Sequence, residues 1–215
     1  MNEQELIGEL IAASKELYDR KLIHASGGNT SVRDGSTVWI TQTGAELGKL
    51  DEDRIVKVDL DGNVLAGSAP SKEMDMHLAM YRAREKARAV VHVHPTNAIA
   101  YSTLIDGVPS DAVPPYTAAF YVRAGRVPMI KYHPSGAHSL HEAVDALAAG
   151  YHAILLRQHG LIVAGADMST AIGVVEEVEQ CCQIAVSTGL KGAPLTDAQR
   201  QAIDDALGRS WPTGN

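Results

Sequence analysis

The run Ala89-Val90-Val91-His92-Val93-His94, closed by Pro95, constrains this chain more than any other segment. It predicts a strand whose end carries two histidines. Side chains two apart on a strand share a face, so both imidazoles project together. Pro95 has no N–H for a sheet ladder and stops the strand. Imidazole is the commonest protein ligand for zinc and similar divalent ions. Taken alone, two histidines at a strand end can also be coincidence.

Two further features point the same way. Gln158-His159-Gly160 ends a second apolar run, Ala153-Ile154-Leu155-Leu156, and brings a third imidazole to a second strand end. Three protein ligands with one open position make the catalytic arrangement of a metal rather than the structural one. Pro70-Ser71-Lys72-Glu73 opens a helix expected over 71–86, with Ser71 as N-cap and Glu73 in the first turn. A carboxylate there suits a fourth ligand or a general base. Acidic residues also favour helix starts for the dipole alone.

The bulk properties exclude several classes. At 215 residues and 45% hydrophobic content, the chain suffices for one compact α/β domain with a substantial core. A net charge of −7 without a basic stripe argues against a nucleic-acid surface. No apolar stretch is long enough for a membrane span. Met1-Asn2-Glu3-Gln4-Glu5 is acidic and lacks a signal-peptide core, so a cytoplasmic location is expected. Cys181 and Cys182 are adjacent in a predicted helix, where they point about 100° apart. They suit neither a disulfide nor a metal pair, which fits a reducing compartment.

Hydrophobic spacing predicts helices near 3–21, 71–86, 96–104, 138–149, 168–188 and 196–207. Strands are expected at 38–41, 55–58, 89–94, 153–157 and 160–164, and a Pro/Gly-rich loop at 106–116. There is no internal repeat, low-complexity tract or interdomain linker. The alternation implies a central, largely antiparallel sheet flanked by helices. The short strands and the chain length argue against a TIM barrel.

Phosphate binding is a second theme. Ser26-Gly27-Gly28-Asn29-Thr30-Ser31 is a small polar turn whose N–H groups suit an anion. Thr41-Gln42-Thr43-Gly44 is another, and the helix start at Ser71-Lys72 adds further donors. Each is also an ordinary tight turn. The spacing fits neither a Rossmann nor a Walker fingerprint, so a phosphate monoester suits the chain better than a nucleotide.

Gly28-Asn29-Thr30-Ser31, Thr43-Gly44, Ser71-Lys72-Glu73, His92-Val93-His94 and His159-Gly160 together resemble the class II aldolase/adducin family in order and spacing, over roughly residues 5–190. The resemblance implies an α/β, three-layer αβα fold with a mixed, largely antiparallel sheet. It implies a single domain over 1–215, with a C-terminal helix and tail at 196–215. It also implies a homotetramer with sites at subunit interfaces. One divalent metal per subunit, usually Zn, would be held by Glu73, His92, His94 and His159; imidazole suits Mn, Co, Fe and Ni as well. Glu73 would leave the metal and act as acid/base. Gly28, Asn29, Thr43, Gly44, Ser71 and Lys72 would hold the substrate phosphate. Tyr116 would act in catalysis, reaching a neighbouring subunit's site.

Within the family, Pro70–Glu73 continued by His77-Leu78-Ala79-Met80-Tyr81, Leu47-Gly48-Lys49-Leu50 and Pro114-Pro115-Tyr116-Thr117 resemble the decarboxylases of 3-oxo-tetronate 4-phosphates. The implied reaction passes through a metal-stabilised enediolate to dihydroxyacetone phosphate. Lys72 would then supply positive charge for the departing carboxylate or the phosphate. The alternatives are an aldolase acting on a sugar phosphate such as L-fuculose 1-phosphate, a 4-epimerase, or an adducin-like module without catalysis. His77, one turn after Glu73, is expected to pack within its helix rather than bind metal. His133 is expected to be a structural loop histidine.

Overall fold

The computed structural model describes residues 2–211. Helix α1 (Glu3–Asp19) begins in a capping box between Asn2 and Glu5. Strands β1 (Asn29–Asp34), β2 (Thr37–Thr41), β3 (Ile55–Asp59) and β4 (Val64–Ala66) follow, then α2 (Met74–Ala83), β5 (Ala89–Val93) and α3 (Thr96–Leu104). After a loop come α4 (Ala118–Arg123), β6 (Met129–Ile130), α5 (His138–Ala148), β7 (Ala153–Leu156), β8 (Gly160–Gly165), α6 (Met168–Ser187) and α7 (Asp197–Leu207).

The eight strands form one mixed sheet in the order β4-β3-β2-β1-β5-β8-β7-β6. Each neighbouring pair is antiparallel except β6 with β7. Strands β5, β7 and β8 are buried along their whole length, so both sheet faces carry a core. Alternation divides their side chains. Val91, Val93, Leu155 and Leu161 join a core beneath α1, α3, α4 and α6. Val90, Ile154, Leu156 and Ile162 join a second core beneath α2 and α5. His92 shares the parity of Val90 and thus the α2 side.

Strand β1 was not anticipated from sequence. Its residues are mostly polar, yet Asn29, Thr30, Ser31 and Arg33 are buried because each finds a partner. Thr30 faces α1, where its hydroxyl lies 2.6 Å from that of Ser14. Asn29, Ser31 and Arg33 face α2, and Arg33 donates to the carbonyls of Tyr81 and Glu85 at the end of that helix. Buried polar groups are tolerated when hydrogen-bonded, so the strand lacks the hydrophobic alternation that would announce it.

Helix α2 begins three residues later than the sequence suggests. Ser71 is not its N-cap; Glu73 holds that position, and the helix starts at Met74. The Ser71 hydroxyl instead accepts from the Glu73 N–H at 3.2 Å, and the Met74 N–H donates to the Ser71 carbonyl. The short elements α4 and β6 were also unanticipated. At the other end, Arg209 and Trp211 both donate to Asp204, pinning the chain past α7; Pro212 lies outside the described residues.

Candidate metal centre

His92 sits in β5, His94 just past its end, and His159 in the turn joining β7 to β8. Because β5 and β8 are adjacent and antiparallel, the end of one meets the start of the other. The three rings form a near-equilateral group with centroids 4.8, 4.9 and 5.1 Å apart. One nitrogen from each lies within 4.8 Å of the other two. The turn reaches this position because Gly160 has no side chain. A Cβ there would sit 2.3 Å from the Val93 carbonyl oxygen and 2.8 Å from His94 Cδ2. The glycine-rich turn before β1 is shaped by the same packing. Gly28 has φ +75°, and a Cβ on it would lie 2.6 Å from the His92 carbonyl oxygen.

Hydrogen bonding sets the chemistry of the rings. His92 Nδ1 lies 3.1 Å from the Leu161 carbonyl, which only accepts, so Nδ1 donates and Nε2 keeps its lone pair in the neutral ring. That Nε2 lies 3.0 Å from His94 Nε2 and 3.2 Å from Glu73 Oε2. Two imidazole nitrogens and a carboxylate oxygen thus converge, a set of atoms that fits a cation. Burial first, then the neighbouring His92 and His159, push the His94 pKa down to about 3, leaving it in the neutral, ligating form near pH 7. A nitrogen-rich set with one carboxylate suits zinc and its first-row neighbours.

Glu73 is buried beside these rings, with Oε1 3.3 Å from His159 Nε2. Asn29 Nδ2 donates to Oε2 at 2.9 Å and Ser135 Oγ donates to Oε1 at 2.7 Å. Burial works to raise the Glu73 pKa. Contacts with His159 and His92, which stabilise the carboxylate whenever those rings are protonated, and the hydrogen bond from Ser135 outweigh it and hold the carboxyl well below the usual range. Ser135 had no signal in the sequence; it arrives on the loop after β6.

The turns expected to hold phosphate are brought together in part. Gln42 bridges Pro70, the Thr43 N–H donates to Ala69, and the Ser71 N–H donates to Thr41. Thr43-Gly44 and Ser71-Lys72 are therefore neighbours, but two expected donors are spent on this pairing. Among the described residues, the N–H groups of Gly44 and Lys72 have no such partner. The Asn29 side chain is committed to Glu73 and His77. Lys72 is exposed, with the loop glycine Gly136 against its Cβ. Tyr116 stands apart from this group within the chain: it packs against Gly192 and Thr188 beyond α6.

The chain has clear relatives. The profile described as "Class II Aldolase and Adducin N-terminal domain" matches residues 8–186. A 3-oxo-tetronate 4-phosphate decarboxylase of Haemophilus influenzae is 33% identical over 198 residues, covering 91% of this chain and 94% of that protein. An L-fuculose phosphate aldolase of Methanococcus maripaludis is 34% identical over 168 residues, covering 78% and 89%. Among solved structures, YgbL of Klebsiella pneumoniae, named as a candidate aldolase/epimerase/decarboxylase, superposes with a TM-score of 0.89 at 30% identity, covering 94% of this chain and 99% of that one.

Proposed function

This chain belongs to the class II aldolase and adducin family, and from that premise we propose that it is a metal-dependent lyase that decarboxylates a 3-oxo-tetronate 4-phosphate to dihydroxyacetone phosphate. The observation that carries the reading is the Glu73 carboxylate seated between His92 and His159 in a buried pocket of imidazoles. Relatives named for this decarboxylation, such as that of Haemophilus influenzae, align over nearly the whole chain and support the choice of reaction.

His92, His94 and His159 would hold the ion, which we take to be zinc, with Glu73 as the exchangeable fourth ligand. When bound, the metal supplies Lewis-acid polarisation of the substrate ketone. The remaining work belongs to the chain. Breaking the C1–C2 bond releases carbon dioxide and leaves its electron pair shared over C2 and C3, and C2 must then take a proton. Glu73 rests ionised, so it first gains a proton from solvent as its contacts to His92 and His159 loosen, then delivers it to C2. The Gly44 and Lys72 N–H groups and the Ser71 hydroxyl would receive the phosphate beside the Thr43 and Gly28-Asn29 turns. The Lys72 ammonium adds the charge that holds the carboxylate before it departs.

Tyr116 packs on its own subunit's Gly192, so we assign it to a neighbouring subunit's site in a homotetramer. The chain would work as a single domain in the cytoplasm; no helix among the described residues is long and apolar enough to cross a membrane.

A product assay on metal-loaded protein tests this. Offered 3-oxo-tetronate 4-phosphate, the enzyme should release dihydroxyacetone phosphate and carbon dioxide, and His92→Ala should lose both metal and turnover. Dihydroxyacetone phosphate from L-fuculose 1-phosphate alone would make the protein an aldolase instead.

A further inference from the structure

The side of α2 that carries Glu73 meets β1 in a matched ladder. Residues four apart on a helix rise about 6 Å, and residues two apart on a strand advance about 6.6 Å. Glu73, His77 and Tyr81 therefore keep step with Asn29 and Ser31. The contacts follow that register. Asn29 Nδ2 donates to Glu73 Oε2 at 2.9 Å, and Asn29 Oδ1 lies 2.6 Å from His77 Nε2. His77 Nδ1 lies 2.7 Å from Ser31 Oγ, which is 2.9 Å from the Tyr81 hydroxyl. Glu73, Asn29, His77, Ser31 and Tyr81 are all buried.

The protons in this chain have one consistent direction. An ionised Glu73 only accepts, so Asn29 must present its Nδ2. Asn29 Oδ1 then needs a donor, which makes His77 the Nε2–H tautomer. Burial keeps His77 neutral, its pKa pushed down to about 3. Its Nδ1 must therefore accept, and Ser31 Oγ is the donor in reach. Tyr81 completes the chain by donating to the Ser31 hydroxyl or to the Ser31 carbonyl, also at 2.9 Å. A flipped Asn29 would aim its oxygen at the Glu73 carboxylate and its amide at the His77 N–H, both repulsive.

We propose that His77 is a positioning residue: its Nε2–H locks the amide orientation of Asn29, which in turn holds Glu73 toward His92 and His159. The inference deepens the function proposed above and rests on Glu73 as its acid/base. His77 touches neither substrate nor metal in this role; it acts through Asn29. Outer partners of this kind commonly matter about 10–100-fold.

The test has two arms. In the first, long-range ¹⁵N–¹H correlation on the full-length, metal-free wild type, with His77 assigned by its loss in His77→Gln, reads the tautomer directly. A protonated Nε2 beside an unprotonated Nδ1 is expected, and a protonated Nδ1 overturns the proposal. The second arm compares turnover. His77→Asn can accept from Ser31 but cannot reach Asn29, so kcat should fall about 10–100-fold with KM little changed. His77→Gln still offers a donor to Asn29 and should recover most of the loss. Equal loss in both variants, or loss in neither, overturns the proposal. A wild type inactive on every substrate offered would instead defeat the functional reading, while the tautomer arm would still decide the role of His77.

Discussion

At the scale of single residues, the missing side chain of Gly160 matters as much as the histidines. It lets the β7–β8 turn close on Val93 and His94, and so lets His159 join the other two imidazoles. Gly160→Ala should therefore cost about 1–3 kcal/mol, as overpacking does, and should also weaken metal binding because His94 must shift. Gly8→Ala is the matched control. Nothing lies within 4 Å of a Cβ at Gly8, which is inside α1. Relieving a helical glycine there should stabilise the fold by about 0.5–1 kcal/mol. Urea unfolding of both variants, with metal content measured alongside, checks the pair; the same sign of effect in both would refute the packing argument. The sequence showed His92, His94, His159 and Glu73 as a group because strand ends and helix starts are local signals. It could not show Ser135, whose place beside Glu73 depends on how the loop after β6 folds back.

At the scale of elements, the pairing of α2 with β1 buries a titratable group in its neutral form. His77 is fully buried, and its pKa falls from 6.5 to about 3 through burial first, then through repulsion from His92 whenever that ring is protonated. Between those values the unfolded chain binds a proton that the folded chain refuses, so stability rises with pH across that window. The contribution is complete above about pH 6.5 and is lost as pH falls toward 3. Chelator-treated protein should thus show a urea midpoint that is flat from pH 8 to 7 and declines from pH 6.5 to 5. That decline should be shallower in His77→Gln; an unchanged slope would mean that His77 is not buried neutral. Metal-free protein is needed because bound metal adds its own proton linkage. This pairing explains why β1 carries no strand pattern in the sequence, and a second pairing explains why the helix expected over 71–86 starts only at Met74. The strand's α2-facing residues are polar and find their partners on α2 and the segment just after it, while Ser71 and the two residues before it are tied to the 41–43 turn.

At the scale of the molecule, the sheet separates two cores and the candidate site opens at the end of β5, where His94 leaves the sheet. Tyr116 lies against Gly192 beyond α6 rather than beside the three histidines. In the proposed tetramer a second subunit brings it to a site. Light scattering on the metal-loaded protein should give a mass four times that of one chain. Tyr116→Phe should lower turnover without lowering metal content. A monomer with full activity would remove Tyr116 from the mechanism.

The sequence by itself determined the layered α/β fold, the histidine triad, Glu73 and the family. These follow from periodicities of two and of about 3.6 residues, and from motifs a few residues long. Only the tertiary structure decided what each of these side chains is hydrogen-bonded to. It turned Ser71 from a helix cap into a turn residue and spent the Thr43 and Ser71 N–H groups on each other's segments. It also made His77, which the sequence assigned to helix packing, the partner of Asn29. Hydrogen-bond partners distant in sequence are chosen by the register between elements, and that register exists only once the sheet and helices have packed.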